Sequence, residues 1–228
     1  MEHGYFSPAL FQFLRDLKAN NDRAWFQANR ERYELDVREP LLHFIADFAL
    51  RLRSISRHLN ADPRPVGGSL FRVHRDTRFS KDKSPYKTHA AAHFRHERGK
   101  DVHAPGFYIH LEPDNVFVAG GLWRPDSETL AKVRDAIVED TEGWRRAISG
   151  PAFSATCELE GDKLKRPPSG YDPSHPLIED LKRKDFVAVR SFTEQRACSP
   201  AFAEDFSDFC CAATPFMGFL TTTVGLPW

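Results

Sequence analysis

The 228-residue chain has little cysteine, and Cys157, Cys198, Cys210 and Cys211 show neither a C-x-x-C pair nor the spacing of a disulfide framework. A chain of this length can bury enough core to fold without covalent staples, so these thiols are expected to be reduced and buried. Net charge is missing too. The 32 Lys and Arg balance the 32 Asp and Glu, and the molecule's overall field draws it neither to nucleic acid nor to an anionic membrane surface. No stretch approaches the ~18 uninterrupted apolar residues of a membrane span. The opening Met1-Glu2-His3-Gly4-Tyr5-Phe6 lacks a basic region, and Arg15 and Asp16 break the first apolar run. No signal peptide fits that pattern, so the expected setting is the cytoplasm, with no membrane partner.

The phosphate-binding loops G-x-x-x-x-G-K-[ST] and G-x-G-x-x-G are absent, as are the G-x-S-x-G nucleophile elbow and the H-E-x-x-H zinc helix. Ordinary nucleotide hydrolases, dinucleotide folds and α/β-hydrolases are thereby disfavoured. The sequence names no catalytic residue and no cofactor.

What is present describes a folded protein: 41% hydrophobic residues against 28% charged, with 19 Phe and 4 Trp. Ser7-Pro8 is a helix-start signal, and Leu10, Phe11, Phe13, Leu14 and Leu17 follow at helical spacing. Asn20-Asn21-Asp22 ends that helix and caps a second, which carries Trp25, Phe26 and Tyr33. A third helix from near Pro40 shows Leu41, Phe44, Ile45, Phe48, Leu52 and Ile55 on one face. The period then changes to two. Leu70 to Arg75 alternates as a half-buried strand does, and Ala91 to His96 reads as another.

Gly106 to Leu111 and Val116 to Ala119 flank the turn residues Pro113-Asp114-Asn115, which predicts a β-hairpin. Asp126 to Ile148 reads as helix, Cys157 to Leu159 and Phe186 to Val189 as strands, and Pro200 to Leu220 as helix interrupted by Pro215. Strands grouped mid-chain between helices predict an α+β fold: a central antiparallel or mixed sheet packed by N-terminal and C-terminal helices, as a single domain over residues 1–228.

Charge is unevenly spread. From Arg72 to Lys100 nine basic residues face three acidic ones, an excess of six, whereas from Glu112 to Glu142 acids exceed bases by five. Within Arg72 to His89, guanidinium forks and ammonium groups recur beside Ser80, Ser84, Thr77 and Thr88, the donor set that phosphate or carboxylate oxygens accept from. Phe79 and Tyr86 are placed to wall such a site. The competing reading is a solvated loop. Arg72 and His74 would share a sheet face with Tyr108 and His110 if the hairpin paired nearby, a placement that a one-residue slip would reverse.

A second loop, Gly161 to Pro173, sets Lys165 and Arg166 before two prolines that stiffen it. Lys182-Arg183-Lys184 reads as a helix C-terminus with a structural role. His89 and His93 are four apart, and His96, His103 and His110 follow, but no carboxylate partner and no Cys/His pairing accompany them, so no metal site is predicted.

The pattern Phe13-Leu14-x-x-Leu17-x-x-Asn20-Asn21-x-Arg23-x-Trp25-Phe26, then Arg72-x-x-Arg75-Asp76-x-Arg78-Phe79-Ser80-x-Asp82-Lys83-Ser84-Pro85-Tyr86-Lys87, then Gly106-Phe107-Tyr108, Leu164-Lys165-Arg166-Pro167 and Leu181 to Phe186 resembles the uncharacterised family called domain of unknown function 2461. The resemblance runs over nearly the whole chain. It implies one domain and makes Arg72 to Lys87 a hallmark segment, without supplying an activity or a cofactor.

The leading expectation is a site for an anionic small molecule, phosphorylated or carboxylated, formed by Arg72, His74, Arg75, Arg78, Lys83, Tyr86, Lys87 and Tyr108 with Lys165 and Arg166. The alternatives are a nucleic-acid-binding module using Phe79 or Tyr86 for stacking, which zero net charge disfavours, and an interaction scaffold whose basic residues pair internally with Asp76, Asp82 and the acidic stretch.

Overall fold

A computed structural model describes residues 4–99 and 103–228. Pro8 opens α1 (Pro8–Ala19), whose Leu10, Phe11, Phe13, Leu14 and Leu17 are all buried. Asp22 caps α2 (Arg23–Ala28) by accepting the Trp25 N–H. Helix α3 (Arg30–Tyr33) runs through a π-helical turn, Glu34–Arg38, into α4 (Glu39–Ile55). The wider turn is closed by the Glu39 N–H, which donates to the Glu34 carbonyl five residues back.

The sheet is formed by β1 (Ala90–Arg95), β2 (Gly106–Glu112), β3 (Asn115–Leu122), β4 (Glu158–Glu160) and β5 (Phe186–Phe192), in the order β1-β2-β3-β5-β4. Every pairing is antiparallel, as expected of strands joined by turns rather than by crossover helices.

Side-chain alternation gives the sheet two unlike faces. The inner face carries Ala92, Phe94, Phe107, Ile109, Val118, Leu122, Phe186 and Ala188, all buried. Helix α4 and α10 (Phe202–Ala212) cover it: Phe206 meets Phe48, Phe94 and Phe107, and Phe209 meets Phe107. Nearer β5, Trp144 packs on Phe186 and Phe216, joining α6 (Thr141–Ser149) to α11 (Thr214–Thr223). Among the described residues no helix is long and apolar enough to cross a membrane.

Three expectations need correction. Leu70 to Arg75 is not a continuous strand; it touches its neighbours through single bridges at Leu70 and His74. The helix expected over 126–148 is two, α5 (Ser127–Glu139) and α6, because Asp140 leaves the helical conformation and its carboxylate caps the next helix at Gly143. The thiols are free, but only Cys157 and Cys210 are buried; Cys211 lies on the exposed side of α10. The remaining helices are α7 (Pro151–Thr156), α8 (Ile178–Leu181) and α9 (Glu194–Ala197).

Candidate functional site

The outer face of the sheet follows from its register. One row across the strands is Ala91, His110, Phe117 and Ser191; the next is His93, Tyr108, Ala119, Val189 and Glu158; a third is Arg95, Gly106, Gly121, Val187 and Glu160. Two paired glycines, Gly106 and Gly121, leave room for close neighbours. A Cβ on Gly106 would stand 2.6 Å from the His93 ring, and one on Gly121, at φ +141°, would stand 2.0 Å from the Phe186 carbonyl oxygen. Among the described residues, the ring contacts of this face run between the strands and the segment leading into β1. Phe71 stacks on His93 and meets Tyr108 edge-on, while His110 lies between His89, at 4.5 Å, and Phe117, at 4.6 Å.

A line of hydrogen bonds runs along β2, where Tyr108, His110 and Glu112 alternate onto this face. The Tyr108 hydroxyl lies 2.9 Å from Nδ1 of His110, and Nε2 of His110 lies 3.3 Å from Oε2 of Glu112. A phenol donates and an ionised carboxylate only accepts, so the consistent arrangement is a neutral imidazole protonated at Nε2. Burial supports neutrality. It lowers the His110 pKa first, with Glu112 pulling the other way, and it drives His89 down to about 4, helped by the proximity of His110, which disfavours a second positive ring, and by the Lys87 charge. Burial and then the Glu112 charge push the Tyr108 phenol well above its usual value. Burial also pushes the Glu112 carboxyl up, but bonds from His110, Asn115 and Thr88 outweigh it and hold the group ionised.

The basic segment splits into parts. Arg75 is tied to Asp82, which also accepts from the Ser84 N–H and hydroxyl. Arg78 grips both oxygens of Asp76, whose pKa falls to about 2 through those bonds. Lys83 donates to the Thr77 carbonyl. This loop therefore pairs its two arginines with its own carboxylates, as the scaffold alternative expects of Asp76 and Asp82. Tyr86 is buried and stacked on Phe26 at 4.1 Å, so it belongs to the core rather than to a ligand wall. His74 sits over Tyr86 on that same helix-facing side, away from Tyr108 and His110. The reason is the backbone: His74 bridges Tyr86 instead of extending the sheet.

Lys165 and Arg166 are exposed and follow β4, the edge opposite β1. Four strand spacings, about 19 Å, separate the two edges, so this loop stands apart from Arg72 to Lys87. The Leu181 to Phe186 motif is an internal brace. Arg134 donates to the Leu181 and Arg183 carbonyls, Arg183 pairs with Asp180, and Asp185 accepts the Arg124 N–H.

Arg72 and Lys87 remain at the rim of the outer face. The Lys87 ammonium lies 5.0 Å from the centre of the Phe71 ring. Burial lowers its pKa, and the Arg72 charge lowers it further. Among the described residues neither forms an ion pair; Asp76, which feels Arg72, spends both oxygens on Arg78.

Three residues of the polar cluster, His89, His110 and Glu112, were not selected from sequence as site members. His89 and His110 stood out there only as part of a run of histidines, and the carboxylate partner that the metal argument lacked is Glu112, two residues beyond His110 on the same face. The three groups His89, His110 and Glu112 each place a donor atom within 4.8 Å of the others.

Fold and site together define the class: an α+β protein whose antiparallel sheet keeps one face for helices and the other for a half-buried cluster of imidazole, phenol and carboxylate. The chain matches the family described as Conserved hypothetical protein (DUF2461) over residues 9–219, and it belongs to that family. No curated protein and no solved structure matches it.

Proposed function

We propose that the protein binds a small anion, phosphorylated or carboxylated, between Arg72 and Lys87 at the rim of the outer sheet face. The observation that carries this reading is Lys87: a partly desolvated ammonium, beside a second cation and without a carboxylate partner among the described residues. Two like charges held together raise the free energy of the empty site, and an anion seated between them relieves that repulsion while accepting charge-assisted hydrogen bonds. Phe71 supplies an apolar floor. Relative to the ten-residue expectation the proposed site is smaller, because Arg75, Arg78 and Lys83 already have partners.

The nucleic-acid alternative is weaker than this reading. Of its two stacking residues, Tyr86 is buried, and exposed Phe79 stands alone with Arg78. The scaffold alternative accounts for the Arg75 and Arg78 pairs but leaves Arg72 and Lys87 without a role.

Thermal shift at low ionic strength with inorganic phosphate, pyrophosphate and citrate tests the proposal. At least one anion raises the melting temperature of the native chain, and the increment disappears in Arg72→Met and in Lys87→Met. An absent shift with all three, or an equal shift in both variants, overturns it.

A further inference from the structure

We propose that His89, His110 and Glu112 bind one divalent transition-metal ion of the zinc type on the outer sheet face. Two imidazole nitrogens and one carboxylate oxygen form a donor set suited to zinc, cobalt(II) or iron(II), whereas calcium and magnesium select oxygen ligands. Three protein ligands leave positions open for water or an anion, as in catalytic rather than structural zinc sites.

The distances fit that use. Nε2 of His110 and Oε2 of Glu112 are 3.3 Å apart, long for a hydrogen bond but close to the ~3.4 Å edge of a tetrahedron with metal–ligand bonds of about 2.1 Å. The His89 donor lies within 4.8 Å of both. Orienting partners are in place as well. The Tyr108 hydroxyl meets Nδ1 of His110 at 2.9 Å and becomes its acceptor once Nε2 turns to a metal. Thr88 and Asn115 hold the Glu112 carboxylate at 3.1 and 3.5 Å. Backbone geometry fixes the ligands: His110 and Glu112 alternate on β2, and His89 precedes β1, whose Ala90 pairs with Leu111.

Neutral imidazole and ionised carboxylate are the forms in which these side chains ligate. Lys87 and Arg72 oppose a cation nearby, and one carboxylate offsets only half of a divalent charge. An ion held here would therefore favour an anionic or hydroxide ligand at an open position. The inference stands without the anion reading, because the ligands are other residues and the test below contains no added anion.

The full-length chain, stripped with a chelator and exchanged into chelator-free non-coordinating buffer, is titrated with Zn²⁺ by calorimetry and with Co²⁺ by visible absorption. One equivalent binds with micromolar or tighter affinity, and Glu112→Gln and His89→Gln each lose at least tenfold. Zinc-edge X-ray absorption on the native chain reports two imidazoles and light-atom ligands without sulfur, a reading that does not depend on any variant folding. No binding at ~100 μM metal, undiminished affinity in the folded variants, or a cobalt–thiolate band placing the ion on cysteine overturns the proposal.

Discussion

Asn21 holds Tyr86 by both of its backbone groups: the side-chain amide donates to the Tyr86 carbonyl at 3.0 Å, and its oxygen accepts the Tyr86 N–H at 3.1 Å. Tyr86 needs these bonds, because it bridges His74 without exchanging hydrogen bonds with it. The ladder there runs from Lys87 to Val73 and from Arg75 to Pro85, so the Tyr86 backbone groups face the other way. One side chain thus stands in for a strand and pins the basic segment to the α1–α2 corner.

Asn21→Ala leaves one N–H and one C=O without partners at a buried residue. The expected loss is about 1–3 kcal/mol, read by urea denaturation, with Tyr86 and the Phe26 stack released together. Asn21→Asp keeps the acceptor but sets a carboxylate against the Tyr86 carbonyl, so it is expected to destabilise at least as much. Stabilities of both variants within 0.5 kcal/mol of the native chain, about the scale of a neutral surface change, would contradict the pinning role.

The same joint shows which parts of the fold the sequence discloses. Apolar spacing in Leu10 to Leu17 and Leu41 to Ile55 marks α1 and α4, because one buried stripe dictates the period whatever the stripe packs against. The β2–β3 hairpin is equally visible: Pro113-Asp114 forms its turn, and Asp114 takes the left-handed φ of 63° that Asp tolerates. Leu70 to Arg75 alternates too, yet alternation does not say what a backbone pairs with. There the partners are Ala91 and His93 of β1, bonded to Phe71 and Ser69, then Pro85 and Lys87 in a short return, and the Asn21 side chain. The site was legible only as a charge excess. Choosing Arg72 and Lys87 from among the cations required knowing that Asp76 and Asp82 close on Arg78 and Arg75. Finding His89 beside Glu112 required the Ala90–Leu111 register.

Lys87→Met separates binding from folding. Methionine keeps the length and the contact with Phe71 while removing an ammonium that burial and Arg72 both disfavour. The ligand-free variant is expected to be more stable than the native chain by about 1 kcal/mol, a modest gain because half-exposed charge is well screened. The pH dependence has a definite sign. With its folded pKa below 10.5, Lys87 binds fewer protons folded than unfolded in the window between the two, so native stability rises with pH there. Equilibrium denaturation of both proteins across that window checks it: the rise should be smaller in Lys87→Met, and an equal rise would remove Lys87 as its source.

Acid acts two residues further along the same segment, at His89. His89 has a folded pKa near 4 against 6.5 when unfolded, through burial first and then the proximity of His110 and the Lys87 charge, with Glu112 opposing; His110 is lowered too. The unfolded chain therefore takes up protons first as pH falls. Stability should be fully retained above about pH 6.5 and decline down to about pH 4, where both states of His89 are charged. His89→Gln is expected to flatten that decline, as measured by denaturant midpoints at pH 7, 5.5 and 4.5. A midpoint shift identical to the native chain's would assign the decline elsewhere.

Tyr108→Phe tests the tautomer along β2. The phenol donates to Nδ1 of His110 only while that nitrogen carries a lone pair, so the bond favours neutral imidazole. Removing it withdraws that support while leaving the ring contacts with Phe71 and Phe117 in place. The His110 pKa is therefore expected to rise toward its ordinary value. Proton–nitrogen correlation spectra of the imidazole rings across pH 4–8 would report both the shift and the starting tautomer. A native His110 protonated at Nδ1, or a pKa that falls in Tyr108→Phe, would reverse the direction of the bond and with it the assignment of Glu112 as the acceptor of the Nε2 proton.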